Sequence, residues 1–410
     1  MNLLNCQQKN NILQLCSLPK RMIARSLELE LTTDCNLRCV YCYKGEEHRK
    51  IYMSQRTAFD AIIWFLYATG YLKKINVYFM GGEPLLHFDM IKKLVPFATR
   101  RAIQQGKEIS FSATTNCMLV NDEVIDFFKK WKMKFHTSID GIPTVQNENR
   151  PDSLGKSSSP TVLNSVRKIL DYQPTVCARA TLLPNHVEKM IDSYRFFRSL
   201  GYKNIAIVPG EYHLWDKESI SQYSNSLKQI ADFWSNEIRN GIHIGYHGFS
   251  GIFRNRNSIK RSSIACGAGR GLLSIDSFGN TWPCNHWDSS FGEKWTSWKI
   301  GNIYDKFSEE TRDYFLSGNE PPEKCNQCLA KVFCAGGCHG SNIDTTGQIK
   351  QIHPNACLIN QVHAKVVIAL HDELYAEKCP TFMEHYYPQE WKKINEEKNM
   401  RDHNNEHAAT

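Results

Sequence analysis

The stretch TTDCNLRCVYCYKGEE (32–47) sets Cys35, Cys39 and Cys42 in one short loop. Thiolates so placed suit zinc or an iron–sulfur cluster. Structural zinc wants four protein ligands, usually from paired CxxC units. A CxxxCxxC loop supplies three. Either a distant His or Cys completes a zinc site, or one iron of a 4Fe–4S cluster is left open to an exogenous ligand and to chemistry. A second concentration follows, with Cys266 and Cys284, then Cys325, Cys328, Cys334, Cys338 and Cys357. A zinc ribbon is the alternative for its CxxC and would suit a nucleic-acid module. Cys6, Cys16, Cys117, Cys177 and Cys379 are scattered and read as small buried hydrophobes.

The elements that must position these thiols show in the periodicity. Strand-like segments at 27–32, 75–79, 109–114, 134–139, 176–183 and 205–209 alternate with helical patterns, the first of them capped by Ser54. Six strands alternating with helices predict a parallel sheet with right-handed crossovers, closed fully or partly into a barrel. The loops after the strands' C-terminal ends then share one face, where α/β proteins build their sites. A long helical pattern at 219–241 ends this part. Short strands, turns and cysteines follow to about residue 360, as expected where metals replace a core. The polar last thirteen residues read as disordered.

Composition narrows the function. A chain of 410 residues with 41% hydrophobic residues has room for one large domain and a smaller one. No secretory signal and no apolar run of about 20 residues is visible, so the reading is soluble and cytoplasmic, without a membrane partner. Fifteen cysteines in such a compartment point to metal binding or catalysis rather than disulfides. The net charge of +8 and the basic stretch 254–263 read as a solvated loop rather than a nucleic-acid surface, since no basic helix with interleaved aromatics is present.

In this context the chain resembles the radical S-adenosylmethionine (SAM) superfamily. The resemblance rests on CxxxCxxC with Tyr41 before its last cysteine, on GGEP (81–84), on TTNC (114–117) and on SIDG (138–141), each closing a strand. It implies a partial (β/α)6 barrel at 25–245 after an N-terminal extension at 1–24. It also implies that Cys35, Cys39 and Cys42 hold a 4Fe–4S cluster whose open iron binds SAM. Reduced by a flavodoxin or ferredoxin, such a cluster cleaves SAM to a 5′-deoxyadenosyl radical that abstracts hydrogen. Gly81, Gly82, Glu83, Asn116 and Ser138 fall on the cofactor-binding positions. Arg179 is a candidate partner for the cofactor carboxylate. The family usually has Gly where Cys117 stands, and Cys117 is read as a tolerated small residue.

The seven later cysteines resemble a SPASM domain, placed at 246–375, with a partly disordered tail at 376–410. The family pattern puts Cys325, Cys328, Cys334 and Cys357 on an outer auxiliary 4Fe–4S cluster. Cys266, Cys284 and Cys338 fall on an inner one, for three clusters in all. Leu272 stands where some relatives supply the inner cluster's fourth ligand, so that iron is expected to be open or to recruit a ligand from elsewhere.

Family members of this kind act mostly on peptides. The main expectation is a maturase that cross-links a ribosomally made precursor peptide through a cyclophane, ether or thioether. The alternative is an anaerobic sulfatase-maturating enzyme forming formylglycine. In the latter an Asp typically follows the second inner-cluster cysteine as a base, and this chain has Asn285, an amide that cannot serve. Asp288 and His286 are nearby but read as surface or packing residues. The 34 residues before Cys35 are too few for a winged-helix peptide-recognition domain. The leader is therefore expected on a separate protein, or on the barrel and the basic 254–263 region. A non-catalytic iron–sulfur or zinc protein is the remote reading.

Overall fold

The computed structural model describes residues 24–44, 50–255, 267–287, 297–305, 307–317, 321–334 and 336–408, the side chains of 399–408 excepted. The alternation read from the sequence is present. Strands β1 (Ser26–Thr32), β2 (Lys74–Gly81), β3 (Glu108–Thr115), β4 (Lys134–Ser138), β5 (Cys177–Leu182) and β6 (Asn204–Pro209) pair in parallel, each with the next. Between them run α1 (Gln55–Ala68), α2 (Phe88–Gln104), α3 (Asp122–Trp131), α4 (Pro143–Asn149), α5 (Ser159–Tyr172) and α6 (Met190–Ser199). Helix α7 (Lys217–Arg239) follows β6. Ser54 caps α1 as expected, accepting from Thr57 N at 3.0 Å, a contact worth about 1 kcal/mol.

The period of two divides the strands into faces. Leu27, Leu29 and Leu31 of β1, Val77 and Phe79 of β2, and Ala178 and Ala180 of β5 are buried in the core. The alternate positions form the other face, with Glu28 opposite Tyr78, Tyr78 opposite Ser112, and Ser138 opposite Arg179. A run of parallel strands with a polar inner face is suited to a site rather than to a second core.

The sheet extends beyond the six strands. Strand β7 (Gly245–Tyr246) joins β6, and β8 (Leu272–Ile275) runs parallel to β1. Strands β9 (Asn280–Trp282) and β10 (Gly301–Asn302) then add antiparallel pairs, so β1 is internal to ten strands. The β8–β9 turn needs Gly279 at φ +81°, while Asp276 accepts from the backbone N–H of Phe278 and Asn280.

Helices α8 (His247–Asn255), α9 (Glu309–Ser317), α10 (His339–Thr346), α11 (Pro354–Ala376), α12 (Pro380–Tyr386) and α13 (Pro388–Ala408) complete the chain. The expected boundary near residue 245 is a change of architecture rather than a break in packing. Phe249 of α8 meets Trp234 of α7 edge-on, and His363 of α11 takes a hydrogen bond with Tyr223 of α7 at 2.8 Å. A small satellite core holds Ala268, Trp282, Trp287, Phe315, Ile343 and Ile349. Trp391 and Ile394 pack against the main core, and the helix they anchor runs on to Ala408.

Candidate cluster and cofactor site

The three-cysteine loop leaves β1 and is clamped by the segment after α4. Val40 N donates to Asn149 O at 3.0 Å, and Arg38 N to Pro151 O at 2.8 Å. Within the loop Cys42 N donates to Cys39 O at 3.0 Å, and Leu37 N to Cys35 Sγ at 3.4 Å. Asn116 Nδ2 lies 3.7 Å from Cys35 Sγ, and Arg150 Nη1 lies 3.9 Å from Cys39 Sγ. Burial pushes the Cys35 thiol up to about 12 and the Cys39 thiol up to about 11. Such thiols ionise when a bound metal supplies the compensating charge.

The end of β2 locks onto this loop. Gly82 N donates to Thr32 O at 2.8 Å and Glu83 N to Asp34 O at 2.9 Å. A Cβ on Gly81, whose φ is +140°, would stand 2.2 Å from Thr32 O, and one on Gly82 2.2 Å from Asp34 O. Both glycines are therefore required by the protein's own backbone, whatever ligand their carbonyls meet. Glu83 is fully buried, with Oε2 accepting from Asn116 N at 2.7 Å and Oε1 from Leu85 N at 3.1 Å. Burial raises its carboxyl to about 7 against the opposing pull of those hydrogen bonds. Asn116 also donates to Asn36 Oδ1 at 2.7 Å, tying β3 to the cysteine loop. Cys117 sits at φ +68°, a conformation that favours glycine, and its buried side chain belongs to the core as expected.

In SIDG the side chain that organises the site is Asp140. It accepts from Tyr41 OH at 2.7 Å and from Thr181 N at 3.0 Å, and pairs with Arg150 Nη2 at 3.0 Å. The Arg150 guanidinium also lies 5.3 Å from the Tyr41 ring centre. Tyr41 is thus held from two sides. Ser138 ends β4 at the inner face, next to Arg179 of β5. Arg179 raises no direct ion pair among the described residues, although its charge is felt by Glu28, His136 and His247. Asp140, Arg150 and Asn149 escaped the sequence reading. Asn149 has both polar side-chain atoms buried with no hydrogen-bond partner among the described residues.

Deeper on the inner face, Lys44 forms an ion pair with Glu30, and Tyr78 lies 5.9 Å from His136. Glu28 Oε2 accepts from Asn285 N at 2.8 Å, bringing the residue after Cys284 against β1. His286, read from sequence as packing or surface, is instead part of a polar network. Its Nε2 lies 2.6 Å from Asp344 Oδ2 and 3.1 Å from Tyr212 OH, and its ring stacks between Tyr43 and Tyr212. Asp288, Cys266 and most of the basic 254–263 stretch lie outside the described residues; Arg254 closes α8.

Cys325, Cys328 and Cys357 line an open cavity of about 610 Å³, flanked by Lys324 and Lys365. Cys334 is close enough to Cys325 to feel its charge. Asn360 Nδ2 lies 3.4 Å from Cys334 Sγ and Gln361 Nε2 3.3 Å from Cys357 Sγ. Cys284 follows β9 and Cys338 precedes α10, while Leu272 is half-buried in β8.

These surroundings fit iron–sulfur clusters. At one loop Cys35 and Cys39, and at the other Cys334 and Cys357, have N–H groups directed at sulfur, the arrangement that tunes such clusters. Beside the three-thiol loop, a carboxylate at Glu83 and the unpartnered amide of Asn149 suit a zwitterionic cofactor.

Residues 29–197 match the model of the radical SAM superfamily. The cysteine-type anaerobic sulfatase-maturating enzyme of Clostridium perfringens (strain 13 / Type A) is 23% identical over 332 residues, 75% of this chain and 86% of that one. The serine-type anaerobic sulfatase-maturating enzyme of Klebsiella pneumoniae is 23% identical over 326 residues, covering 74% and 78%. Among solved structures, native anSMEcpe with bound AdoMet superposes with a TM-score of 0.71 at 19% identity, covering 85% of this chain and 99% of that one. Streptococcus suis SuiB bound to precursor peptide SuiA gives 0.58 at 16% identity, covering 85% and 79%. Among the described residues no helix is long and apolar enough to cross a membrane.

Proposed function

Since the chain belongs to the radical SAM superfamily, we propose that it oxidises a residue of a peptide substrate, with three 4Fe–4S clusters. Cys35, Cys39 and Cys42 hold the cluster that binds SAM. Cys325, Cys328, Cys334 and Cys357 hold an outer auxiliary cluster, and Cys266, Cys284 and Cys338 an inner one within 246–375. When bound and reduced, the first cluster and SAM supply a 5′-deoxyadenosyl radical that takes a hydrogen atom from a C–H bond. The observation that carries this reading is the three-thiol loop locked to the Gly81–Gly82–Glu83 strand end.

The chain's own residues then have definable work. Glu83 holds a cationic amine with the lone pairs its two backbone donors leave, and Asn116 fixes the cysteine loop beside it. Arg179 is placed to pair with a carboxylate reaching down from Ser138. Tyr41, Asp140 and Arg150 brace the loop. The polar inner face receives the substrate side chain and excludes bulk water from it.

For the bond made, the main reading is an intramolecular cross-link in a ribosomally made peptide. Asn285 favours it, because the acid expected there in formylglycine formation is replaced by an amide. Formylglycine formation is the second reading, favoured by the likeness to sulfatase-maturating enzymes over most of both chains. A flavodoxin or ferredoxin supplies electrons, and a separate protein presents the leader where one is needed.

The test is an anaerobic reaction with SAM and dithionite. One arm uses a cysteine-containing sulfatase-type peptide, and the other uses short peptides encoded beside the gene. Loss of two hydrogens without aldehyde identifies a cross-link; a hydrazine-trapped aldehyde identifies formylglycine. Zinc without acid-labile sulfide, or no 5′-deoxyadenosine, rules out both.

A further inference from the structure

We propose that Glu28 takes the substrate proton in this reaction, from the barrel wall rather than from the residue after Cys284. The inference rests on the reading above that a peptide residue is oxidised. Its starting point is a displacement of chemistry within the site. Asn285 stands where a carboxylate would serve as base, and its backbone N–H donates to Glu28 Oε2 at 2.8 Å. The Glu28 carboxylate therefore lies at the level of that missing acid, reached from β1 instead of from the β9 side.

Among the described residues, the acids that surround the site on these elements are already engaged. Glu30, two residues along the same face, is ion-paired with Lys44. Glu83 accepts two backbone hydrogen bonds, and Asp140 is held by Arg150, Tyr41 and Thr181. Asp344 binds His286 and Tyr212, and Asp34 accepts from Tyr52 at 2.8 Å. Among the described residues, Glu28 accepts one hydrogen bond, from Asn285 N. Its remaining lone pairs face an inner surface shared with Tyr78, its direct partner across β2.

The charges around it set its basicity. Lys44 and Arg179 draw the pKa down, but burial outweighs them and raises the carboxyl to about 7. A base that titrates near the working pH is the efficient kind, since it is both available and strong enough to take a proton. The balance is then complete. The substrate, R–CH2–XH, loses a hydrogen atom from carbon to the adenosyl radical and a proton from X to Glu28. It passes one electron to an iron–sulfur cluster. Of the four electrons in the broken C–H and X–H bonds, one leaves with the hydrogen atom and one with the cluster; the remaining two form the second bond of C=X, or a new C–X bond where the C–H and X–H belong to different residues.

Two measurements on the reconstituted full-length enzyme test this. The first is infrared titration, which needs no peptide: Glu28→Gln should remove one carboxylic-acid band that titrates near pH 7, distinct from the band removed by Glu83→Gln. The second uses the cysteine-containing sulfatase-type peptide at saturating SAM. Glu28→Gln should cleave SAM at near wild-type rate while product per 5′-deoxyadenosine falls about 10²–10⁴-fold. The acidic limb of that ratio, rising through pH 7 in the wild type, should vanish. Glu28→Gln/Asn285→Asp should restore product by returning an acid to residue 285, which a merely structural loss would not allow.

Wild-type coupling and pH dependence in Glu28→Gln, or no Glu28 band near pH 7, overturns the proposal. If the wild type does not convert the peptide, the formylglycine reading fails and the infrared titration alone decides Glu28. If Glu28→Gln does not take up iron, a wild-type carboxyl band that shifts on Asn285→Asp supports the assignment, and an unshifted spectrum sinks it.

Discussion

The Cys35–Cys42 loop and the cavity lined by Cys325, Cys328 and Cys357 share a residue type but not a setting. Around Cys35, Cys39 and Cys42 the neighbours are buried and engaged: Glu83, Asn116, Asp140 and Arg150 each hold a backbone or side-chain partner. Around Cys325, Cys328 and Cys357 the walls are open and carry Lys324 and Lys365. On the proposed reading, a loop with three thiols and no fourth would admit and orient a reactant. Cys325, Cys328 and Cys357, in a lysine-edged cavity with Cys334 close by, would on the proposed reading hold charge and pass it on. The same residue type thus serves two ends because its surroundings differ.

The largest expected break in that contrast is removal of a thiol from each region. Cys35→Ala should abolish SAM cleavage and lower iron content by about one third, as one cluster of three is lost. Cys328→Ala should lose a similar share of iron yet retain SAM cleavage, measured as 5′-deoxyadenosine under dithionite. Equal loss of cleavage in both would erase the distinction.

The next effect concerns the acid beside the first region. Glu83→Gln should weaken SAM binding about 10–100-fold, the cost of removing a buried charged partner. Because its carboxyl is raised to about 7, it is protonated below that pH and cannot attract the amine. Calorimetry should therefore show SAM affinity rising with pH through 7 in the wild type and flat in the variant.

A smaller effect tests the interlock of β2 with the loop. Gly82→Ala places a methyl group 2.2 Å from Asp34 O, so thermal melting should show a loss of about 1–3 kcal/mol. At the outer cavity Leu329→Ala, with its half-exposed side chain, should cost less than about 0.5 kcal/mol. The smallest effect is on potential: Gln361→Leu removes an N–H donor from Cys357 Sγ, and the outer cluster's reduction potential should fall, as read by EPR-monitored titration.

Much of this was legible in the residues. Six strands alternating with helices and Ser54 as a cap follow from the pattern of apolar residues, clearest in β1, where Leu27, Leu29 and Leu31 alternate with polar residues. The cysteine loop and GGEP are contiguous motifs, so their spacing carries their meaning. What escaped notice lies where distant segments meet. Asn149 ends the short helix α4 and Arg150 follows it, too few residues for a periodic signal, and contacts with Arg38, Val40 and Asp140 bring them to the loop. In SIDG the motif drew attention to Ser138, whereas the engaged side chain is Asp140. Glu28 and Glu30 visibly share one face of LELELT, but their different fates depend on Lys44 and Asn285, which the strand itself does not reveal.

The position of Cys357 at the start of α11, which packs on α7, also bears on how the protein is made. The loop with Cys35, Cys39 and Cys42 has all its thiols early and its locking strand soon after. The outer set cannot be gathered until most of the chain has left the ribosome. A nascent chain emerging at about 5–20 residues per second therefore presents the two sites to the cell's iron–sulfur supply at separate times. The inventory of metals would then be filled in the order in which the protein is written.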